Sequence, residues 1–220
     1  LYPVNNDTFT WFTNTVLEDL KYLDLVPVWR ENVLPGFEKN IYEKYCSKVN
    51  ITKLQHLEPY FFDDPWTSYL EGKKVAVFSP FAASISNNFK NLNKIWNNKI
   101  TSNFDLIPIQ YPTAITITKD SPYENSREIY DEMLDKVKSL DFDVGIFGTG
   151  HTGLLLALEC KKIGKTGIHL GGATQILFGI KGNRWDKMKE FQPFFNEYWT
   201  RPLDNETPDR IDVVEQACYW

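Results

Sequence analysis

Apolar positions along the chain follow one rhythm up to about residue 70 and another beyond it. Phe9, Phe12, Val16, Leu17, Leu20 and Leu23 recur every three or four residues. That spacing predicts a helix reaching Leu23 and capped by Asn6 or Asp7. Asp24–Val28 reads as short and extended, because Pro27 lacks the N–H that an inner helical turn needs. Pro35 suits the first position of a second helix, Gly36–Cys46, built on Phe37, Ile41 and Tyr45. Asn50–Leu57 reads as an edge strand that ends at Glu58-Pro59, and Tyr60–Tyr69 as an ordered loop.

From Lys74 onward short apolar runs alternate with helical spacing. The runs are Lys74–Ser79, Asp105–Ile109, Asp143–Phe147 and Thr166–Leu170. Between them lie predicted helices over Ser84–Trp96, Tyr123–Leu140 and Thr152–Ile163, and Thr113–Thr118 reads as a loop or a small edge strand. Two more helical runs follow, Ala173–Ile180 and Asp186–Phe195. Strands that alternate with helices predict an α/β fold. The expectation is a Rossmann-like, mostly parallel sheet with helices on both faces and right-handed crossovers. A single domain over residues 1–220 is expected, with a helical and loop part (1–70), a βα repeat (72–185) and a C-terminal helix and tail (186–220).

Glycine marks two neighbouring βα turns. Gly148, Gly150 and Gly153 form G-x-G-x-x-G between a predicted strand and a predicted helix, and Gly171-Gly172 opens the next helical run. The first amides of a helix lack partners and carry partial positive charge, so such turns suit a phosphate. Glycines that merely permit tight turns and close packing are the plainer alternative at both places. A nicotinamide dinucleotide would want an acidic residue at the end of the following strand, where His169, Leu170 and Gly171 stand instead. This favours another diphosphate, such as a nucleotide sugar.

Ligands of parallel sheets sit beyond the carboxyl ends of the strands, which sorts the other candidates. Ser79 and Phe81 follow the first strand of the repeat; His151, Thr152 and Gln175 lie in or after the glycine turns. Lys181 and Arg184 could neutralise a leaving diphosphate. Glu58 and Asp64, beside Tyr60, Phe61, Phe62 and Trp66, suit sugar binding and general-base work, as does His151. Asp141-Phe142-Asp143 matches a metal-holding D-x-D, but it precedes its strand and so should lie at the wrong end of the sheet. Neither a P-loop nor a G-x-S-x-G elbow is present.

Charge and cysteine usage narrow the setting. The 24 basic and 29 acidic residues give a net charge of −5 and supply no footprint for nucleic acid. No apolar run is long enough to span a membrane. Cys46, Cys160 and Cys218 are scattered, which indicates a reducing, cytoplasmic compartment. The chain opens on Leu1 without a signal-peptide pattern, so its natural start is expected to be missing.

The segments PWTSYLEGKKVAVFSPFAASI, GIFGTGHTGLLLALECKKIGKTGIHLGGATQILFGIKGNRW and NEYWTRPLDNETP, with the closing CYW, resemble the GT-D-type glycosyltransferases, a family of bacterial polysaccharide clusters and large DNA viruses. The resemblance spans about residues 1 to 220 and is most specific over Gly148–Trp185. It implies a UDP-sugar donor, with xylose among the candidate sugars, a glycan or glycoprotein acceptor, and Mn2+ or Mg2+ as a cofactor. In a viral setting the compartment would be the host cytoplasm. That family carries a glycine-flanked D-x-E near its N-terminus. None is found there in this chain, so the resemblance carries over no metal ligand. Other readings are an NAD(P)- or nucleotide-sugar-binding oxidoreductase or modifying enzyme, and a non-catalytic nucleotide-binding or assembly module with the tail aromatics as its interface. A homodimer is compatible with the sequence.

Overall fold

A computed structural model describes residues 1–29, 35–46, 48–117 and 121–220. In chain order the elements are α1 (Asn6–Asp19), β1 (Leu25–Val28), α2 (Phe37–Tyr45), β2 (Asn50–Lys53), β3 (Lys74–Ser79), α3 (Ala82–Phe89), α4 (Leu92–Ile95), β4 (Asp105–Gln110), α5 (Ser126–Ser139), β5 (Val144–Phe147), α6 (Gly153–Lys162), β6 (Thr166–His169), α7 (Ala173–Leu177) and α8 (Asn183–Asp186), joined by short 3-10 turns. The α/β, Rossmann-like expectation holds: β4-β3-β5-β6 form a four-stranded, all-parallel sheet. β1 and β2 form a separate parallel pair.

Alternation along β3 explains the two layers. Val75 and Val77 point into a core shared with Ile85, Leu92 and Ile95 of α3 and α4. Ala76 and Phe78 point the other way, toward Ile129, Met133 and Val137 of α5 and Leu155, Leu156 and Cys160 of α6. Both faces of β3 are therefore dry, as a central parallel strand requires. Pro108, which cannot donate to a ladder, sits in β4 at the sheet edge. The order has a reversal. The chain passes from β3 outward to β4, then returns through α5 to place β5 on the other side of β3. The crevice beyond the carboxyl ends of β3 and β5 is thus the topological switch point.

Several element boundaries differ from the sequence expectation. The predicted helix Ser84–Trp96 is two short helices broken at Asn91. The buried Asn88 amide there is drawn to the carbonyls of Phe178 and Gly179 (2.9 and 3.2 Å). Asp186–Phe195 is not a helix: α8 ends at Asp186 and only a turn at Gln192–Phe194 follows, because Pro193 cannot continue an α-helical ladder. β2 ends at Lys53 and gives way to a 3-10 turn over Leu54–Leu57. The Thr113–Thr118 stretch contains a turn at Ala114–Thr116, and Thr118 lies outside the described residues. α5 starts at Ser126, where the Asn125 side chain caps the amides of Arg127 and Glu128.

The tail aromatics do not form an exposed interface. Phe194 and Trp199 pack on Trp96, and Phe191 packs on Tyr60, whose ring stacks on Trp96 at 5.0 Å. Burying these large rings together is favourable by area alone, so they belong to the core. Among the described residues no helix is long and apolar enough to cross a membrane.

Candidate functional site

A cleft of about 460 Å³ opens at the switch point. It collects residues at the carboxyl ends of all four strands of the large sheet: Ser79, Pro80 and Phe81 at the end of β3, Tyr111 and Thr113 to Ile115 after β4, Gly148 to His151 after β5, and Gly171, Gly172, Thr174 and Gln175 after β6. Leu1 and the C-terminal residues Val214, Glu215, Tyr219 and Trp220 complete the lining. Phe81, Tyr111, Tyr219 and Trp220 make it strongly aromatic.

The turn after β5 has the geometry of an anion seat. Its first amide is spent, since Gly148 N donates to Phe78 O at 2.8 Å. The next three, those of Thr149, Gly150 and His151, donate to no acceptor among the described residues. Gly150 has φ +57, and a Cβ built there meets nothing within 4 Å. A left-handed backbone facing open space is where glycine is needed and where a ligand could approach the main chain.

The remaining glycines of the two turns do different work. A Cβ on Gly148 would lie 2.9 Å from Thr174 Cβ, and one on Gly153 only 2.3 Å from the His169 ring. A Cβ on Gly172 would lie 2.7 Å from Tyr219. These three permit close packing of the turns on each other and on the tail. Gly171 has φ +57, but its amide is held by Phe147 O at 3.1 Å.

Polar atoms without partners concentrate here. Seven buried side-chain polar atoms lack a partner among the described residues, and four belong to cleft-lining residues: Thr149 Oγ1, His151 Nε2, Thr174 Oγ1 and Gln175 Oε1. Each such atom costs about 1–3 kcal/mol. Gln175 turns its amide nitrogen to the carbonyls of Tyr219 (3.0 Å) and Ile180 (3.3 Å), which fixes the orientation that leaves Oε1 unpaired. Ser79 Oγ accepts from Phe81 N at 3.1 Å. Thr152 does not line the cleft; it lies behind the turn, with its hydroxyl 3.0 Å from Tyr111 Oη and 3.1 Å from the Thr149 carbonyl.

His151 is the single basic side chain among the described lining residues, and burial lowers its pKa to about 4, with the amino group of Leu1 and then His169 adding to the effect. Burial lowers His169 to about 4 as well, against a hydrogen bond to the Gly150 backbone. Both rings are therefore neutral near pH 7. A histidine this far below neutrality is a weak base, better suited to hydrogen bonding than to proton abstraction.

The structure does not bring Glu58 and Asp64 to the cleft. Their segment packs through Tyr60 and Phe61 on Trp96 and Phe191, and Asp63 lies 3.9 Å from Lys99, beside the connection that leads into the amino end of β4. Burial pushes the Glu58 carboxyl up to about 7, with the Tyr60 hydroxyl opposing and the Glu190 charge adding. Lys181 is also elsewhere, its ammonium 4.8 Å over the Phe195 ring. Arg184 stands behind the lining, paired with Glu215 and 4.9 Å from the Tyr219 ring centre. Asp141 and Asp143 engage Lys74 at the amino end of β3, as the D-x-D position predicted.

The divalent-metal expectation meets no matching donor set among the described residues. Among the described residues no group of three His, Cys, Asp or Glu could hold an ion. Among the described residues the one carboxylate side chain that lines the cleft, Glu215, is on Arg184.

Sequence reasoning missed Tyr111, Thr149, Thr174, Glu215, Tyr219 and Trp220 as lining residues. Tyr111, Thr149 and Thr174 directly follow strands or sit within the glycine turns, so the carboxyl-end rule could have found them. No local pattern places the tail residues at the cleft, although the closing CYW belongs to the family resemblance; they arrive by tertiary packing.

Searches against protein-family models, curated proteins and solved structures find no match to this chain.

Proposed function

We propose that the protein is a glycosyltransferase that binds a UDP-sugar with its diphosphate over Thr149–His151. The fold is Rossmann-like α/β; nucleotide binding at the cleft and sugar transfer are what this reading assigns to it. The observation that carries it is the row of three amides at the switch point that have no acceptor among the described residues, beside a cleft walled by aromatic rings. An amide row of this kind binds anions without needing lysine or arginine. Aromatic walls suit the flat faces of a base or a sugar. The donor sugar, with xylose among the candidates, and a glycan acceptor follow from the sequence resemblance. In this reading His151 donates or accepts a hydrogen bond at the diphosphate, and no step runs through a metal.

The test is calorimetric titration with UDP, UDP-xylose and UDP-glucose, each with and without Mn2+, and with NADH as the control. Saturable one-to-one heat with the uridine ligands is expected. Heat with NADH alone transfers the reading to an oxidoreductase, and no heat with any of them overturns the nucleotide site.

A further inference from the structure

The C-terminal segment sets carboxylates on two positive features around the cleft, and only one of the two is held fast. Glu206 is buried and accepts from the amides of Ala83 (2.7 Å) and Ser84 (3.2 Å) and from the Ser84 hydroxyl. It caps α3 from the tail, and its surroundings hold it there. Glu215 is held differently. Its side chain is 68% exposed, it lines the cleft, and its carboxylate pairs with Arg184. An ion pair this open is worth little and exchanges readily.

Strain marks the same place. Glu215, Gln216 and Ala217 have φ of +46, +58 and +58, three successive non-glycine residues in the left-handed region. Each is unfavourable for an L-residue. The last three residues, by contrast, are pinned. Arg184 N donates to Cys218 O and Asn183 N to Trp220 O, both at 3.0 Å. Gln175 Nε2 holds the Tyr219 carbonyl from below. Arg184 itself stays beside the cleft wall whatever Glu215 does, because its guanidinium lies over Tyr219 and Trp185.

We infer that Glu215 is an internal stand-in for the anion the cleft takes. An incoming diphosphate displaces the carboxylate from Arg184, and residues 215 and 216 relax as they swing out, while Ala217, whose carbonyl accepts from Asn183 Nδ2 (3.2 Å) and Trp220 N (3.1 Å), stays in place with 218–220. The cation for the diphosphate is thus present but masked, which accounts for a phosphate cleft whose described lining holds no lysine or arginine. This rests on the nucleotide-binding reading above.

UDP and inorganic pyrophosphate would be titrated calorimetrically into the wild type, Glu215→Gln, Arg184→Gln and the double variant. Glu215→Gln is expected to bind UDP about tenfold more tightly than the wild type, within the usual range of coupling between sites. Arg184→Gln should bind more weakly, and the gain from Glu215→Gln should vanish in its background. If the gain is absent, or persists without Arg184 as a general charge effect, the masking is wrong while UDP binding still supports the nucleotide site. If no variant binds UDP or pyrophosphate, both fall.

Discussion

Gly150 and Gly153 belong to one motif, yet their surroundings give them different jobs. Gly153→Ala would drive a methyl into the buried His169 ring, an overpacking cost of about 1–3 kcal/mol. Gly150→Ala meets open space and pays mainly for its left-handed backbone, about 1–2 kcal/mol. Its methyl would stand where the diphosphate approaches, so UDP affinity should fall about tenfold, equivalent to 1.4 kcal/mol. Urea unfolding and calorimetry on both variants separate the two effects; unchanged UDP affinity in Gly150→Ala would remove this turn from the site. Protonation gives a second prediction. His151 and His169 have folded pKa values near 4, below the usual 6.5. The unfolded chain therefore binds more protons between those limits, and stability from these groups falls as pH drops from about 6.5 to 4. Glu58 acts in the opposite sense: raised from 4.5 to about 7, it contributes stability at low pH that is lost as pH rises through that window. Stability measured against pH should show a shallower acid loss in His169→Asn and a steeper one in Glu58→Gln than in the wild type.

At the level of elements, α6 and β6 approach so closely that glycine is obligatory at the contact. A Cβ on Gly167 would lie 2.2 Å from the Ala157 carbonyl oxygen, and that obstacle is backbone. Gly167→Ala should therefore push α6 outward and cost about 3 kcal/mol or more, read as a lowered urea midpoint with unchanged slope. The repeat itself was legible in the sequence. Buried strands such as Val144–Phe147 announce themselves as short apolar runs, and α5 by its helical spacing and cap. Less legible were the breaks. Asn88 and Asn91 sit at positions whose spacing is helical, and only contact with Phe178 and Gly179, about ninety residues away, makes the helix stop there. Pro193 was a readable signal within an otherwise helical run. For the site, the glycine turns and their place at the sheet end could be read directly. Glu58 and Asp64 could not be placed, because no local pattern tells which end of the sheet a loop will cover.

On the scale of the whole molecule, one sheet carries two cores, and ligand at the cleft touches the ends of all four of its strands. Binding there should stabilise the fold as a unit. UDP at a hundred times its dissociation constant would add about 2.7 kcal/mol. For a chain of this size that corresponds to a rise of roughly 5–10 °C in Tm by differential scanning calorimetry, from 2–4 °C per kcal/mol. A rise confined to one of two resolved transitions would instead show that the β1–β2 part melts independently.

The return of the chain from β4 to β5 has a consequence for synthesis. A ribosome delivers β3 and β4 early, yet the inner neighbour of β3 emerges only with residues 144–147 and its turn just after them. Until then β3 has one flank bare, and the crevice at the switch point lacks one of its walls. Any fragment that stops short of β5 therefore keeps an adhesive strand edge on β3 and lacks the Gly148–His151 wall of the cleft.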